Sequence, residues 1–227
     1  MKITLNKLLE ALSHETLSFM ADSNHANGTI SGDQIPKVIG RINGVLRKLS
    51  VKFVLKEKQI KVNISANRRY YTLNPFDPWI IEDIDEAFEG DVGLILGIET
   101  PYGRMHPIGD KSSFRSVLLR DEGTAFAVDQ AIPAGIYTIY YKTKTPQFIV
   151  DGSKLDQVLE IPEALLNALY TGVAAFTYEG IGGADNIRLA AAKWQQFESE
   201  CTEAKVNSAV ENEESDEGNK FRDRGFK

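Results

Sequence analysis

The spacing of the apolar residues changes twice along the chain, and those two changes limit what it can fold into. Leu5, Leu8, Leu9 and Leu12 stand at i, i+3, i+4 and i+7, one face of a helix. The stretch from Asp22 to Gly32 is polar and reads as a loop. Asp33 stands where a cap belongs and Pro36 falls in the first turn, where a missing N–H does no harm. A second apolar face then runs Ile35, Ile39, Ile42, Leu46, Leu49 and Phe53. From about Gln59 the period falls to two: Ile60, Val62 and Ile64 alternate with Lys61 and Asn63, as in a half-buried strand. Further strands are expected at Arg69–Leu73, Trp79–Ile81, Leu94–Ile98, Val117–Leu119, Ala125–Val128 and Ile136–Tyr141. The turn signals between them suit a small antiparallel sheet or sandwich.

The helical period returns at Ile161-Pro162-Glu163, with proline at the first helical position. Leu165, Leu169, Val173 and Phe176 share a face with Ala168 and Gly172. Gly180-Ile181-Gly182-Gly183 ends that helix, and Asp185 is placed to cap the next, whose apolar residues are Ile187, Ala191, Trp194, Phe197 and Cys201. The expected fold is α+β: a four-helix bundle with an inserted antiparallel β domain and an extended C-terminal tail. The boundaries read as 1–58 for an N-terminal helical pair, 59–160 for the β insert, 161–206 for the C-terminal pair that completes the bundle, and 207–227 for an acidic linker and tail.

Composition bounds the function. With 227 residues, 42% hydrophobic, the chain can bury a core without staples. Cys201 is the one cysteine, so neither an internal disulfide nor a cysteine-based zinc site is possible, which fits a reducing cytosol. The N-terminus does not read as a signal peptide, so the sequons at Asn27 and Asn63 carry no glycosylation meaning, and no apolar run approaches the about 20 residues that span a bilayer. A net charge of −6 argues against gripping nucleic acid through its phosphates.

No catalytic, cofactor or metal site is expected, and the chain reads as no enzyme. His14, His25 and His106 show no ligand spacing, and no His-Glu-x-x-His motif occurs. Glu82, Asp83, Asp85, Glu86, Glu89 and Asp91 lack the spacing of a calcium loop and read as a solvated hairpin tip. Gly180–Gly183 follows a helix and no Lys-Ser or Lys-Thr closes it, so it reads as an interhelical turn.

Two segments carry a resemblance. Leu49-Ser50-Val51-Lys52-Phe53-Val54-Leu55-Lys56-Glu57-Lys58-Gln59-Ile60 leads from helix into the strands Lys61–Ile64 and Arg69-Tyr70-Tyr71-Thr72-Leu73-Asn74-Pro75. Ile161–Tyr170 and Val173–Tyr178 form a return helix that begins Pro-Glu and continues into small residues, after Ile139-Tyr140-Tyr141-Lys142 and Pro146. Together these resemble the head-to-tail adaptor (connector, or tail tubular protein A-like) family of short-tailed phages. Asn74 between Leu73 and Pro75 departs from the family's Tyr-x-Leu-Pro-like element.

The resemblance implies a structural virion protein at the head–tail junction, assembled in the host cytoplasm. Its partners would be the portal protein, a downstream tail or nozzle protein, and its own copies in a ring, usually dodecameric. The ring would continue the channel for passing double-stranded DNA without specific binding, and no membrane is involved. In similar adaptors the C-terminal segment docks on the portal. Glu211–Glu217 is an acidic run that buries nothing alone. In Lys220–Lys227, Phe221 and Phe226 are interleaved with Arg222 and Arg224, the make-up of a peptide that orders on a partner. These four are the candidate portal-docking residues. The free subunit would be monomeric, with docking ordering its tail. The alternatives are a more distal tail-completion or second ring protein, a glycan-binding module using Trp79, Tyr102 and the acidic cluster, and a DNA-binding regulator.

Overall fold

A computed structural model describes the backbone of residues 1–17, 30, 32–81, 87–106, 108, 117–128 and 132–223, and the side chains of the same residues except 15, 16 and 208–223. In chain order the elements are β1 (Lys2–Thr4), α1 (Leu5–Ala11), α2 (Ile35–Lys52), β2 (Glu57–Ile64), β3 (Tyr70–Thr72), β4 (Ile80–Ile81), β5 (Val92–Glu99), β6 (Val117–Arg120), β7 (Ala125–Val128), β8 (Gly135–Thr143), β9 (Val158–Glu160), α3 (Leu166–Ile181) and α4 (Ala184–Asp223). The fold is mixed α and β, with four α-helices and antiparallel sheets among the described residues.

The chain divides into two compact units, Met1–Leu49 with Gln147–Lys227, and Ser50–Pro146. The β insert therefore starts before residue 59 and closes before residue 160. The earlier close has a cause: β9 pairs with β1 of the helical unit, Ile3 opposite Leu159.

In the helical unit Thr4 caps α1, its Oγ1 accepting the Lys7 N–H at 3.4 Å. A π-helical turn over Leu12–Thr16 follows. Leu5, Leu8, Leu9 and Leu12 are all buried, as their spacing predicts. On α2 the buried face is Val38, Ile39, Ile42, Asn43, Val45, Leu46 and Leu49. α3 is buried on most sides, with Ala168, Leu169, Gly172 and Val173 among its interior residues, and Leu165 just before it is buried as well.

Gly182 and Gly183 turn the chain between α3 and α4 with φ of 74° and 86°, values that side chains disfavour. α3 and α4 then pack together. Asp185 does not cap α4. It lies inside the first turn, where its carboxylate suits the positive end of the helix dipole. The buried face of α4 is Ala190, Phe197, Cys201 and Ala204, with Trp194 half-buried beside them. Ile187 and Ala191 are exposed, so the predicted face was rotated at its start. In place of an extended tail from residue 207, the backbone stays helical through Asp223. The run is rich in glutamate, a good helix former, so losing the apolar pattern does not end the helix.

The insert holds a four-stranded sheet, β4-β2-β8-β5, and a three-stranded sheet, β3-β7-β6, all antiparallel. The first is built around β2 and β8, paired from Glu57↔Lys142 to Ile64↔Gly135. One core joins the two sheets: Ile60, Val62, Ile64, Tyr137, Ile139 and Tyr141 from the first meet Tyr71, Val117, Phe126 and Val128 from the second. Each strand expected between Ile60 and Tyr141 is present. β4 and β5, the strands on either side of the acidic stretch, lie at opposite edges of their sheet and so do not pair as the arms of a hairpin; residues 82–86 of that stretch lie outside the described residues.

Candidate assembly surfaces

The described residues among those weighed for chemistry and set aside are exposed or held in structural contacts. His14 is exposed, and His25 lies outside the described residues. His106 stacks on Tyr137 with ring centroids 5.8 Å apart. Of the acidic stretch, residues 82–86 lie outside the described residues. Glu89 and Asp91 face the Lys58 ammonium at 3.8 and 3.2 Å, and Asp91 accepts from the Tyr141 hydroxyl at 3.2 Å. Those two carboxylates brace a sheet. Among the described residues no group of His, Cys, Asp and Glu is placed to hold a metal, and no helix is long and apolar enough to cross a membrane.

Trp79 is built into the insert. Its indole N–H donates to the Thr72 carbonyl at 2.8 Å, the Arg68 guanidinium covers its ring at 3.9 Å, and the edge of Tyr71 meets it at 5.9 Å. A ring covered on one face by a cation offers little to a sugar. Tyr102 is exposed and Phe76 is 93% exposed. A turn holds Phe76 outward: Asn74 Oδ1 accepts the Phe76 N–H at 3.1 Å, and Asp77 Oδ2 accepts from Thr72 Oγ1 at 2.6 Å and the Asn74 N–H at 3.1 Å. Asn74, the departure from the adaptor pattern, is what builds this turn.

On the helical unit the chemically distinctive surface is α2. Arg41 donates from Nη1 to Thr177 Oγ1 at 3.1 Å, and burial pulls its guanidinium below the usual arginine pKa. A Cβ at Gly180 would stand 2.8 Å from Arg41 Nη2, so glycine there leaves room for the side chain. The Lys48 ammonium lies 4.6 Å from the Trp194 ring and 5.7 Å from that of Phe176, while the two rings meet edge to face at 4.9 Å. Lys37, Arg41 and Arg47 line a groove of about 410 Å³ with Gly40, Gly44 and Phe176. Sequence reading passed over this groove because its floor comes from α3, although the absence of acidic residues between Ile35 and Lys52 is visible in the sequence.

Of the candidate portal-docking residues, Phe221 and Arg222 fall in the last turn of the α4 backbone and their side chains are outside the described set. Arg224 and Phe226 lie outside the described residues altogether.

Comparison with known families matches residues 4–218 to the SU10 adaptor protein. No curated protein matches the chain.

Proposed function

Because the chain belongs to the SU10 adaptor protein family, an adaptor family of short-tailed phages, we propose that it forms the ring joining the head portal to the tail. The single observation that carries this reading is the family match over residues 4–218, nearly the whole chain. The order helix, helix, β insert, helix, helix supports it, since it is the order the adaptor resemblance implies.

In this reading the helical unit bundles around the DNA channel as one member of a closed ring of identical copies, twelve in similar adaptors. The β insert faces the next tail component. Phe221, Arg222, Arg224 and Phe226 dock on the portal, burying two aromatic side chains while two guanidinium groups pair with carboxylates. The role is structural, in the virion, with no catalysis. Passing DNA is not gripped, because a subunit of net charge −6 repels phosphates on balance.

The test is co-purification with the portal of the same phage, comparing the full chain with one truncated after Ala209. The full chain is expected to join the portal ring in equal copy number and the truncated one to be lost. If neither binds portal, the head–tail adaptor reading fails.

A further inference from the structure

α2 carries Lys37, Arg41, Arg47, Lys48 and Lys52 and no acidic residue, in a chain whose net charge is −6. The groove on this helix has basic walls and a floor of backbone and aromatic ring. Lys37, Gly40 and Arg47 are exposed. A Cβ at Gly40 would meet nothing within 4 Å, and one at Gly44 would lie 3.1 Å from Phe176 Cε2. The groove is therefore open above Gly40 and closed beneath by the ring.

The complementary charge lies elsewhere in the same chain. Glu211, Glu213, Glu214, Asp216 and Glu217 fall within one seven-residue run, on the helical backbone that continues to Asp223. That helix cannot bring the run to its own groove. Trp194 marks where α4 passes the groove, since its ring packs on Phe176 at 4.9 Å. A helix rises about 1.5 Å per residue, so Glu211 lies about 25 Å and Glu217 about 35 Å further along. Within one chain the two surfaces stay apart.

We propose that the acidic segment 211–217 of one copy docks in the Lys37–Arg41–Arg47 groove of a neighbouring copy. Groove and segment are different surfaces of one chain, so each copy offers both and the contact repeats from copy to copy, as a closed ring requires. Gly40 lets an incoming helix approach closely, and the arginine forks match carboxylates. The contact rests on the reading that the chain assembles with its own copies. It leaves residues 220–227 free for the portal and does not depend on the portal being the partner.

The test is fluorescence anisotropy of a labelled peptide of residues 207–223 added to the full chain at low salt, with no portal present. Saturable binding is expected, weakened about tenfold or more by K37E/R47E and by added salt. The same peptide with Glu211, Glu213, Glu214, Asp216 and Glu217 changed to lysine is expected to bind K37E/R47E and not the parent chain, which shows the variant is folded. No binding of the peptide to the parent chain overturns the proposal, as does binding that K37E/R47E leaves unchanged. If a short DNA duplex binds the parent chain, loses that binding in K37E/R47E, and the peptide does not bind, the groove is a phosphate surface and the proposal falls. Because portal is absent, the result stands or falls separately from portal co-purification.

Discussion

Asn43 holds both polar groups of the Phe148 backbone: its Nδ2 donates to the Phe148 carbonyl at 2.8 Å and its Oδ1 accepts the Phe148 N–H at 2.8 Å. Both bonds are buried, and they tie α2 to the point where the chain re-enters the helical unit after the insert. Asn43 sits among Val38, Ile39, Ile42 and Leu46 on the buried face of its helix.

Removing that amide leaves a backbone donor and acceptor without partners in a place water does not reach. Asn43→Ala is expected to destabilise the helical unit by about 2–4 kcal/mol. Asn43→Asp keeps the acceptor, loses the donor and buries a carboxylate against a carbonyl, so it should be at least as damaging. Urea denaturation followed by far-ultraviolet circular dichroism measures both. An Asn43→Ala loss below about 0.5 kcal/mol would show that the two bonds contribute little net stability.

Two glycines of the helical unit should respond to the same substitution with opposite signs. A Cβ at Gly172 on α3 would lie 2.7 and 3.0 Å from the two γ-carbons of Val45 and 3.2 Å from Phe197. Valine is stiff in a helix and the ring is buried, so neither yields easily. Gly172→Ala gains about 1 kcal/mol of helix propensity but strains the α2–α3–α4 core, and a net loss of about 1–2 kcal/mol is expected. Gly40 on α2 is exposed with open space above it, so Gly40→Ala should stabilise by about 0.5–1 kcal/mol. Thermal melts of the two variants against the parent give both signs; an unchanged or raised melting temperature for Gly172→Ala would refute the packing argument at Gly172, and a lowered one for Gly40→Ala would refute the propensity argument at Gly40.

The elements were legible where a period had room to repeat. Ile60, Val62 and Ile64 on β2, and Leu5 to Leu12 on the first helix, fixed their own faces. β1 and β9 have three residues each, too few to show alternation, so the strand pair that closes the helical unit was not foreseen. On α4 the start of the face was misjudged because Ile187 is apolar yet exposed, whereas Ala190 is small, weakly marked and buried. Asn43 is a polar residue on the apolar face of α2, and nothing local shows that a backbone 105 residues away needs its amide. The α2 groove was half legible: its charges are in the sequence, but the Phe176 floor depends on how α3 packs.

The insert carries a device that acts only at alkaline pH. The Tyr140 hydroxyl donates to Glu99 Oε2 at 2.6 Å, across the β5–β8 pair. That hydrogen bond raises the Tyr140 pKa, with burial and the charges of Glu99 and Glu57 adding to it. Burial does the same for Tyr137, and a hydrogen bond to Asp121 for Tyr70. The protonated phenol is the form the fold favours. Its contribution is therefore fully present below the ordinary tyrosine pKa of about 10 and is lost as pH rises through the raised folded value. A phenolate-absorbance titration should show late-ionising groups among the eight tyrosines. Tyr140→Phe should remove one of them and leave those of Tyr137 and Tyr70, and Glu99→Gln, which removes the charge and weakens the acceptor, should bring the Tyr140 step down toward the ordinary range. Stability followed against pH should fall more steeply above about pH 10 in the parent chain than in Tyr140→Phe. An alkaline titration that Glu99→Gln leaves unchanged would mean that Glu99 does not set the Tyr140 ionisation.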